Sequence, residues 1–203
     1  MIKLKLTKGF TLPEILITVA ILTLVIGAIG AFQANIFSIN RVIQAGINSQ
    51  YEVKKILRPF TNEVRGATSS GNGSYALAEV GTTTFIFYSN IDADSKIERV
   101  RYFLDGQIFK KGVTKSSGEP VSYNQDNEQI VQVVHDVVAG NIFEYYDSNY
   151  DGTASSSALS FPVNPSEVRL VKINIQIDSD PNKEPSPIFV ETQVSIRNLK
   201  DNR

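Results

Sequence analysis

Few residues of this chain are of the types that carry out chemistry. Its 203 residues include no cysteine and a single histidine, His135, which is followed by Asp136. Cys/His zinc sites, thiol nucleophiles, iron–sulfur clusters and disulfides are therefore excluded. The sequence contains no Gly-x-Ser-x-Gly motif and no Ser/His/Asp order of a known hydrolase. We interpret His135 as a surface residue and expect neither catalysis nor a cofactor.

Two groups of acidic residues offer oxygen atoms to a cation. Asp147, Asn149 and Asp151 alternate and are followed by Gly152, as in the opening of a calcium-binding loop. The twelfth position of such a loop needs a bidentate acid but is Ala158 here. We therefore favour an Asx-rich turn and leave calcium binding by these residues open. We interpret the second group as a solvated face. Its members are Asp92, Asp94, Glu98 and Asp105.

Glu14 is the one ionisable residue in an apolar run from Phe10 to Phe32. As a helix, these 23 residues would be about 34 Å long, enough to cross a bilayer core of about 30 Å. The preceding segment, Met1 to Gly9, carries three lysines and no acid, so it should remain cytoplasmic. A carboxylate inside a membrane segment is costly, and such a residue normally has a functional partner.

The residues around Glu14 resemble a known signal. Lys8-Gly9-Phe10-Thr11-Leu12-Pro13-Glu14, followed by the apolar run, is similar to the class III signal of type IV prepilins. The resemblance implies that a prepilin peptidase cleaves after Gly9 and methylates the new amino terminus on Phe10. It also implies that Glu14, the fifth residue of the mature chain, neutralises the terminal amine of a neighbouring subunit in a filament.

The same resemblance implies where the protein acts and with what. The partners would be other pilin or pseudopilin subunits, the prepilin peptidase, an inner-membrane assembly platform and the lipid bilayer. The chain would cross the inner (cytoplasmic) membrane once with its head outside the cytoplasm, and later join a periplasmic or cell-surface filament. Because the formal net charge is only -1, we expect no binding to nucleic acid.

Two alternatives remain open. An ordinary signal peptide cleaved after Gly30 would release a secreted β-rich binding or adhesive module that begins at Ala31. This alternative is weaker, because such apolar regions run to about 7–15 residues and contain no carboxylate. The other alternative is a membrane-anchored enzyme, which the lack of a catalytic constellation disfavours.

Apolar residues keep helical spacing beyond the membrane segment, which predicts one helix from Phe10 to about Val64. Pro59 should kink or interrupt its last turns, and the glycine-rich segment 65–74 should end it. Gly27 and Gly30 either let neighbouring helices approach or soften the helix. The apolar positions are Ile36, Ile39, Ile43, Ile47, Val53, Leu57, Phe60 and Val64.

From Thr82 onward the pattern changes to strands. Thr82–Tyr88 is rich in β-branched and aromatic residues, and Asp105-Gly106 indicates a tight hairpin. Apolar and polar residues alternate over 171–177 and 188–196, which predicts two half-buried strands. The three prolines between Asp178 and Pro187 predict an exposed loop that joins them.

The fold class predicted is α+β and pilin-like. A long N-terminal α-helix, transmembrane in its first half, would pack on a mainly antiparallel β-sheet head. The expected division is a basic leader (1–9), a transmembrane helix (10–32), an amphipathic helical stem (33–65) and a β-rich globular head (66–203). Three stretches of the head resemble minor pilins and the J-type minor pseudopilins of type II secretion. They are Val100–Gly106, Phe143–Asp147 and Val194–Leu199.

Overall fold

The computed structural model describes residues 9–92, 94–153, 156–178 and 187–199, with the backbone alone at 34, 35, 38, 41, 42 and 44–56. The chain divides into two compact units, residues 1–46 and residues 47–203. Of the predicted leader, only Gly9 lies within the described residues.

The helix α1 (Leu12–Arg65) begins two residues after Phe10 and ends where the glycine-rich segment starts, as predicted. In the first unit, Leu12–Gln33 is a stretch of 22 residues that is long and apolar enough to cross a membrane. Its length of about 33 Å matches the bilayer core. The apolar side chains of this stretch are exposed among the described residues, which fits a segment that lies in lipid.

In the second unit, the last turns of α1 are buried. Phe60 and Val64, one helical turn apart, are both fully buried, and Leu57 is half-buried. Pro59 does not interrupt these turns, because α1 continues past it to Arg65; a kink at Pro59 stays a prediction. Burial of the two neighbouring apolar side chains offsets the cost of a proline inside the helix, which is about 3 kcal/mol.

The earlier apolar positions of the predicted stem behave differently. Ile36, Ile39 and Ile43 are exposed, whereas the side chains of Ile47 and Val53 lie outside the described set. Burial of the described part of the stem is therefore confined to its last turns.

The first sheet is an antiparallel meander in the order β1-β2-β3-β4-β5. The predicted hairpin is confirmed, because β3 and β4 pair with Asp105 opposite Ile108. Gly106 has φ 61°, the positive value that the first central residue of a type II′ turn requires. The strands are β1 (Leu77–Val80), β2 (Thr84–Ser89), β3 (Glu98–Asp105), β4 (Ile108–Thr114) and β5 (Gln129–Val134).

The second sheet is antiparallel and has the order β6-β7-β8. It consists of β6 (Phe143–Tyr146), β7 (Leu170–Ile177) and β8 (Ile188–Ser195). Burial alternates strictly along β7, and in β8 Val190 and Val194 are buried, which confirms the two half-buried strands. Most of the predicted loop between them, residues 179–186, lies outside the described residues. The α+β prediction is confirmed and is consistent with a pilin-like fold.

One aromatic ring of α1 contacts both sheets. The ring centroid of Phe60 lies 5.2 Å from that of Tyr102 and 6.4 Å from that of Phe85, both in the first sheet. It lies 6.2 Å from the ring of Phe143 in the second sheet. The sheets are also joined through the backbone, because the amides of Ile142 and Phe143 both donate to the carbonyl of Thr82, at 2.8 and 2.9 Å. The core is thus continuous from the helix through both sheets.

A buried polar contact accompanies the Phe60 ring. The Tyr102 hydroxyl donates to Oε2 of Glu63 at 2.8 Å, and Nζ of Lys111 donates to Oε1 at 2.5 Å. Burial, and then the Glu63 charge, raise the pKa of Tyr102 well above its ordinary value, so the hydroxyl remains a donor. Both oxygens of Glu63 are thereby satisfied, and they fix the last turn of α1 against β3 and β4.

We predict that Phe60→Ala lowers the free energy of unfolding of the head by about 3–5 kcal/mol, because it removes a fully buried ring shared by both sheets. Urea unfolding of the full chain in detergent, followed by near-UV circular dichroism, measures this loss. The matched control is Phe189→Ala, whose side chain is 70% exposed and which should change stability by less than about 0.5 kcal/mol. Equal effects of the two variants would contradict the joining role of Phe60.

Candidate functional site

The residues predicted to undergo processing lie before the first turn of α1. Gly9 and Phe10 are both outside the helix, and the Phe10 side chain is 83% exposed. A Cβ built on Gly9 would meet no atom within 4 Å. The peptide bond between these residues is therefore open to an approaching enzyme, within the part of the chain that the structure describes.

Thr11 and Glu14 form the cap of the helix. Thr11 stands at the N-cap, and Glu14 is the third residue of α1. The backbone amide and the hydroxyl of Thr11 both donate to Oε2 of Glu14, each at 2.9 Å. The carboxylate thus satisfies an amide that the helix itself leaves without a partner, as in the carboxylate half of a capping box. The partial positive charge of the helix N-terminus also favours an anion at this place.

The cap gives Glu14 hydrogen-bond donors but no counter-charge. No ion pair joins Glu14 to any cation among the described residues. The carboxylate nevertheless belongs to the stretch Leu12–Gln33, whose composition fits a membrane interior. A positive partner from outside the described chain would complete its electrostatic environment.

The hydroxyls of the two threonines in the stretch are satisfied within the helix. The hydroxyl of Thr18 donates to the carbonyl of Ile15 at 2.9 Å, and that of Thr23 donates to the carbonyl of Ala20 at 2.8 Å. Such bonds allow threonine to lie in an apolar medium. Glu14 is therefore the ionisable group of this stretch, and its charge has no ion-pair partner among the described residues.

The turn from Asp147 to Asp151 is held by its own donors. The backbone amide of Asn149 donates to Oδ1 of Asp147 at 2.9 Å, which forms an Asx turn. Oδ1 of Asp151 accepts the Thr153 amide at 2.9 Å and also the Ser156 hydroxyl. The Ser156 and Thr153 side chains, and then the Thr153 amide, lower the pKa of Asp151 to about 2. The geometry supports the interpretation of this segment as an Asx-rich turn.

The second acidic group is not uniformly solvated. Its members Asp92, Asp94 and Asp105 are exposed, as is His135 outside the group, but Glu98 is fully buried. The interpretation of Glu98 as part of a solvated face is therefore wrong. Strand alternation explains its position, because Glu98 shares the buried face of β3 with Val100 and Tyr102. Burial raises the pKa of Glu98 despite the opposing hydrogen bond from the Ile91 amide, and the charges of Asp92 and Asp94 add to the rise.

The helix cap formed by Glu14 and the burial of Glu98 were not predicted above, but each has a local signal in the sequence. Thr11-x-x-Glu14 before an apolar run has the spacing of a capping box. Glu98 stands two residues before Val100 and four before Tyr102, at the spacing of one face of a strand. Neither signal depends on distant contacts.

The comparison with known protein families agrees with the resemblance in the N-terminal residues. Residues 4–30 match the family model described as the prokaryotic N-terminal methylation motif. Among curated proteins, no significant match to the chain is found. The matched segment includes Gly9, Phe10 and Glu14 and extends through most of the apolar stretch. The chain thus carries the N-terminal methylation signal of type IV prepilin-like proteins.

Proposed function

We propose that the protein is a minor pilin or minor pseudopilin, a non-catalytic structural subunit of a type IV pilus, competence or type II secretion filament. The observation that carries the proposal is the methylation motif over residues 4–30, which supports a type IV pilin-like subunit. The three stretches of the head that resemble minor pilins and J-type pseudopilins support the minor role. The domain division given above, at residues 9, 32 and 65, is part of the proposal.

Processing is the first step of the proposed function. The prepilin peptidase cleaves between Gly9 and Phe10 and methylates the amine of Phe10. The exposure of both residues, outside the helix, supports this step. Until assembly, the stretch Leu12–Gln33 anchors the protein in the inner membrane, where lipid covers its apolar side chains.

Assembly is the second step, and Glu14 is its central residue. On extraction from the membrane, the apolar helix exchanges lipid for the helices of neighbouring subunits. The Phe10 amine of a neighbour supplies the positive charge that Glu14 lacks among the described residues. Thr11 donates two hydrogen bonds to Oε2 of the carboxylate. The other oxygen of Glu14 can still accept hydrogen bonds, and the pairing we propose uses it. Gly27 and Gly30, where an added Cβ would meet no atom within 4 Å, leave a helix surface that a neighbour can approach closely.

The capping geometry permits a sharp test of this pairing. We predict that Glu14→Gln reduces incorporation into filaments by roughly tenfold or more, because an amide oxygen can still accept the Thr11 amide but carries no charge. Glu14→Ala should behave similarly, whereas Thr11→Ala keeps the charge and should retain most incorporation. The measurement is the fraction of the protein recovered with sheared filaments relative to membranes.

Leader removal in each variant is the control, because it shows that the defect lies in assembly and not in processing. Normal incorporation of Glu14→Gln would show that the carboxylate serves only as a helix cap, and would contradict the pairing.

The minor role is tested in the same filaments by quantitative mass spectrometry. We expect far fewer copies of this protein than of the main subunit, and equal numbers would refute the minor assignment.

A further inference from the structure

Three carboxylates meet where β2 connects to β3. Asp92 and Asp94 lie in this connection, and Glu98 is the first residue of β3. One carboxylate oxygen of each residue lies within 4.8 Å of those of the other two. An oxygen ligand of Ca²⁺ is about 2.3–2.6 Å from the ion, so two ligands of one ion are at most about 5 Å apart. The spacing therefore suits three ligands of a single ion.

Glu98 supplies an independent indication of a ligand. The residue is 0% exposed, and its Oε2 accepts the Ile91 amide at 3.0 Å. Its Oε1 is also buried and has no hydrogen-bond partner among the described residues. A buried carboxylate oxygen without a partner is unfavourable and rare in folded proteins. A cation at the cluster would satisfy this oxygen.

The surrounding chain holds the two exposed carboxylates in place. The Asp94 amide donates to Oδ1 of Asp92 at 3.3 Å, and the Lys96 amide donates to Oδ1 of Asp94 at 2.6 Å. The Asn90 side-chain amide donates to the Asp94 carbonyl at 2.5 Å. These bonds hold Asp92 and Asp94 in place before any ion binds, which reduces the conformational entropy lost on binding.

One lysine competes for the same carboxylates. Nζ of Lys115 lies 2.6 Å from Oδ2 of Asp92, and both side chains are substantially exposed. Among the described residues, no ion pair is seen at the carboxylates of Asp94 and Glu98. The described part of the chain thus places one paired ammonium group where three acidic groups converge.

We propose that Asp92, Asp94 and Glu98 bind a divalent cation of the calcium type in the head of this protein. Calcium suits the cluster because it accepts six to eight oxygen ligands in flexible geometry, some of them waters. Magnesium requires near-ideal octahedral geometry at shorter distances and gives up its waters reluctantly. On binding, the ion contacts Oε1 of Glu98 and displaces the Lys115 ammonium from Asp92.

The Asp147 turn is the matched control for this proposal. Its two carboxylates are also close in sequence, but they are at least partly exposed and accept hydrogen bonds from neighbouring groups. Among the described residues, the turn holds no buried oxygen that lacks a partner. Substitution there changes charge without touching the proposed ligands.

The test is a calorimetric titration of the full chain, purified in detergent and stripped with EGTA, with CaCl2 and separately with MgCl2. We expect one calcium site, with magnesium weaker by about tenfold or more. Glu98→Gln and Asp94→Asn should weaken calcium binding by about tenfold or more, and Lys115→Gln should tighten it several-fold. The double variant Asp147→Asn/Asp151→Asn should bind as the unmodified chain does. Calcium should also raise the Tm of the unmodified chain and leave that of Glu98→Gln unchanged.

Asp94→Asn keeps the test decisive if Glu98→Gln fails to fold, because Asp94 is exposed. The absence of both heat and a Tm shift at millimolar CaCl2 would overturn the proposal. Undiminished binding in the Asp94→Asn variant would also overturn it, as would loss of binding only in the Asp147 control. Equal affinity for magnesium would contradict the assignment of the ion to the calcium type.

Discussion

The apolar surface of the stretch Leu12–Gln33 is the constraint on which the other features depend. Its large aliphatic side chains are exposed all round the helix within the chain, so no single protein face can cover them. Lipid can cover them before assembly, and the helices of other subunits can do so afterwards. The helix cap gives the Glu14 carboxylate hydrogen-bond donors in this medium, and in the assembly that we propose a neighbouring subunit would supply the counter-charge. The polar chemistry of the N-terminal segment thus follows from the apolar medium around it.

The last turns of the same helix serve a different purpose. In the second unit, Phe60 and Val64 are fully buried in a core that draws on two antiparallel sheets. Glu63, between them, satisfies both of its oxygens with Tyr102 and Lys111. Side chains that an isolated helix would expose are therefore fixed by the sheets. The chain has no cysteine, and its head is held by an aromatic core and by backbone hydrogen bonds that join the two sheets.

The sequence alone predicts those features whose signal is local. The extent of α1, the hairpin at Asp105-Gly106 and the alternation in β7 and β8 all follow from periodicity and turn chemistry. The continuation of α1 past Pro59 does not, because burial of Phe60 against distant strands decides it. The division into sheets of five and three strands is equally non-local, since strand neighbours are set by pairing and not by composition. At the candidate site, Gly9, Phe10 and Glu14 could be named from the motif. The capping contact with Thr11 and the burial of Glu98 could also have been predicted, from the Thr-x-x-Glu spacing and from strand alternation. Both residues are charged or polar, and their composition alone indicates exposure.

The central claim, that this chain is a processed pilin-like subunit, is tested most directly by its intact mass. The protein should be recovered from membranes of cells that have the prepilin peptidase and of cells that lack it. We predict loss of Met1 to Gly9 and a gain of one methyl group only where the peptidase is present. A mature chain that begins at Ala31 in both strains would identify a secreted protein instead, and would contradict the role assigned to Glu14.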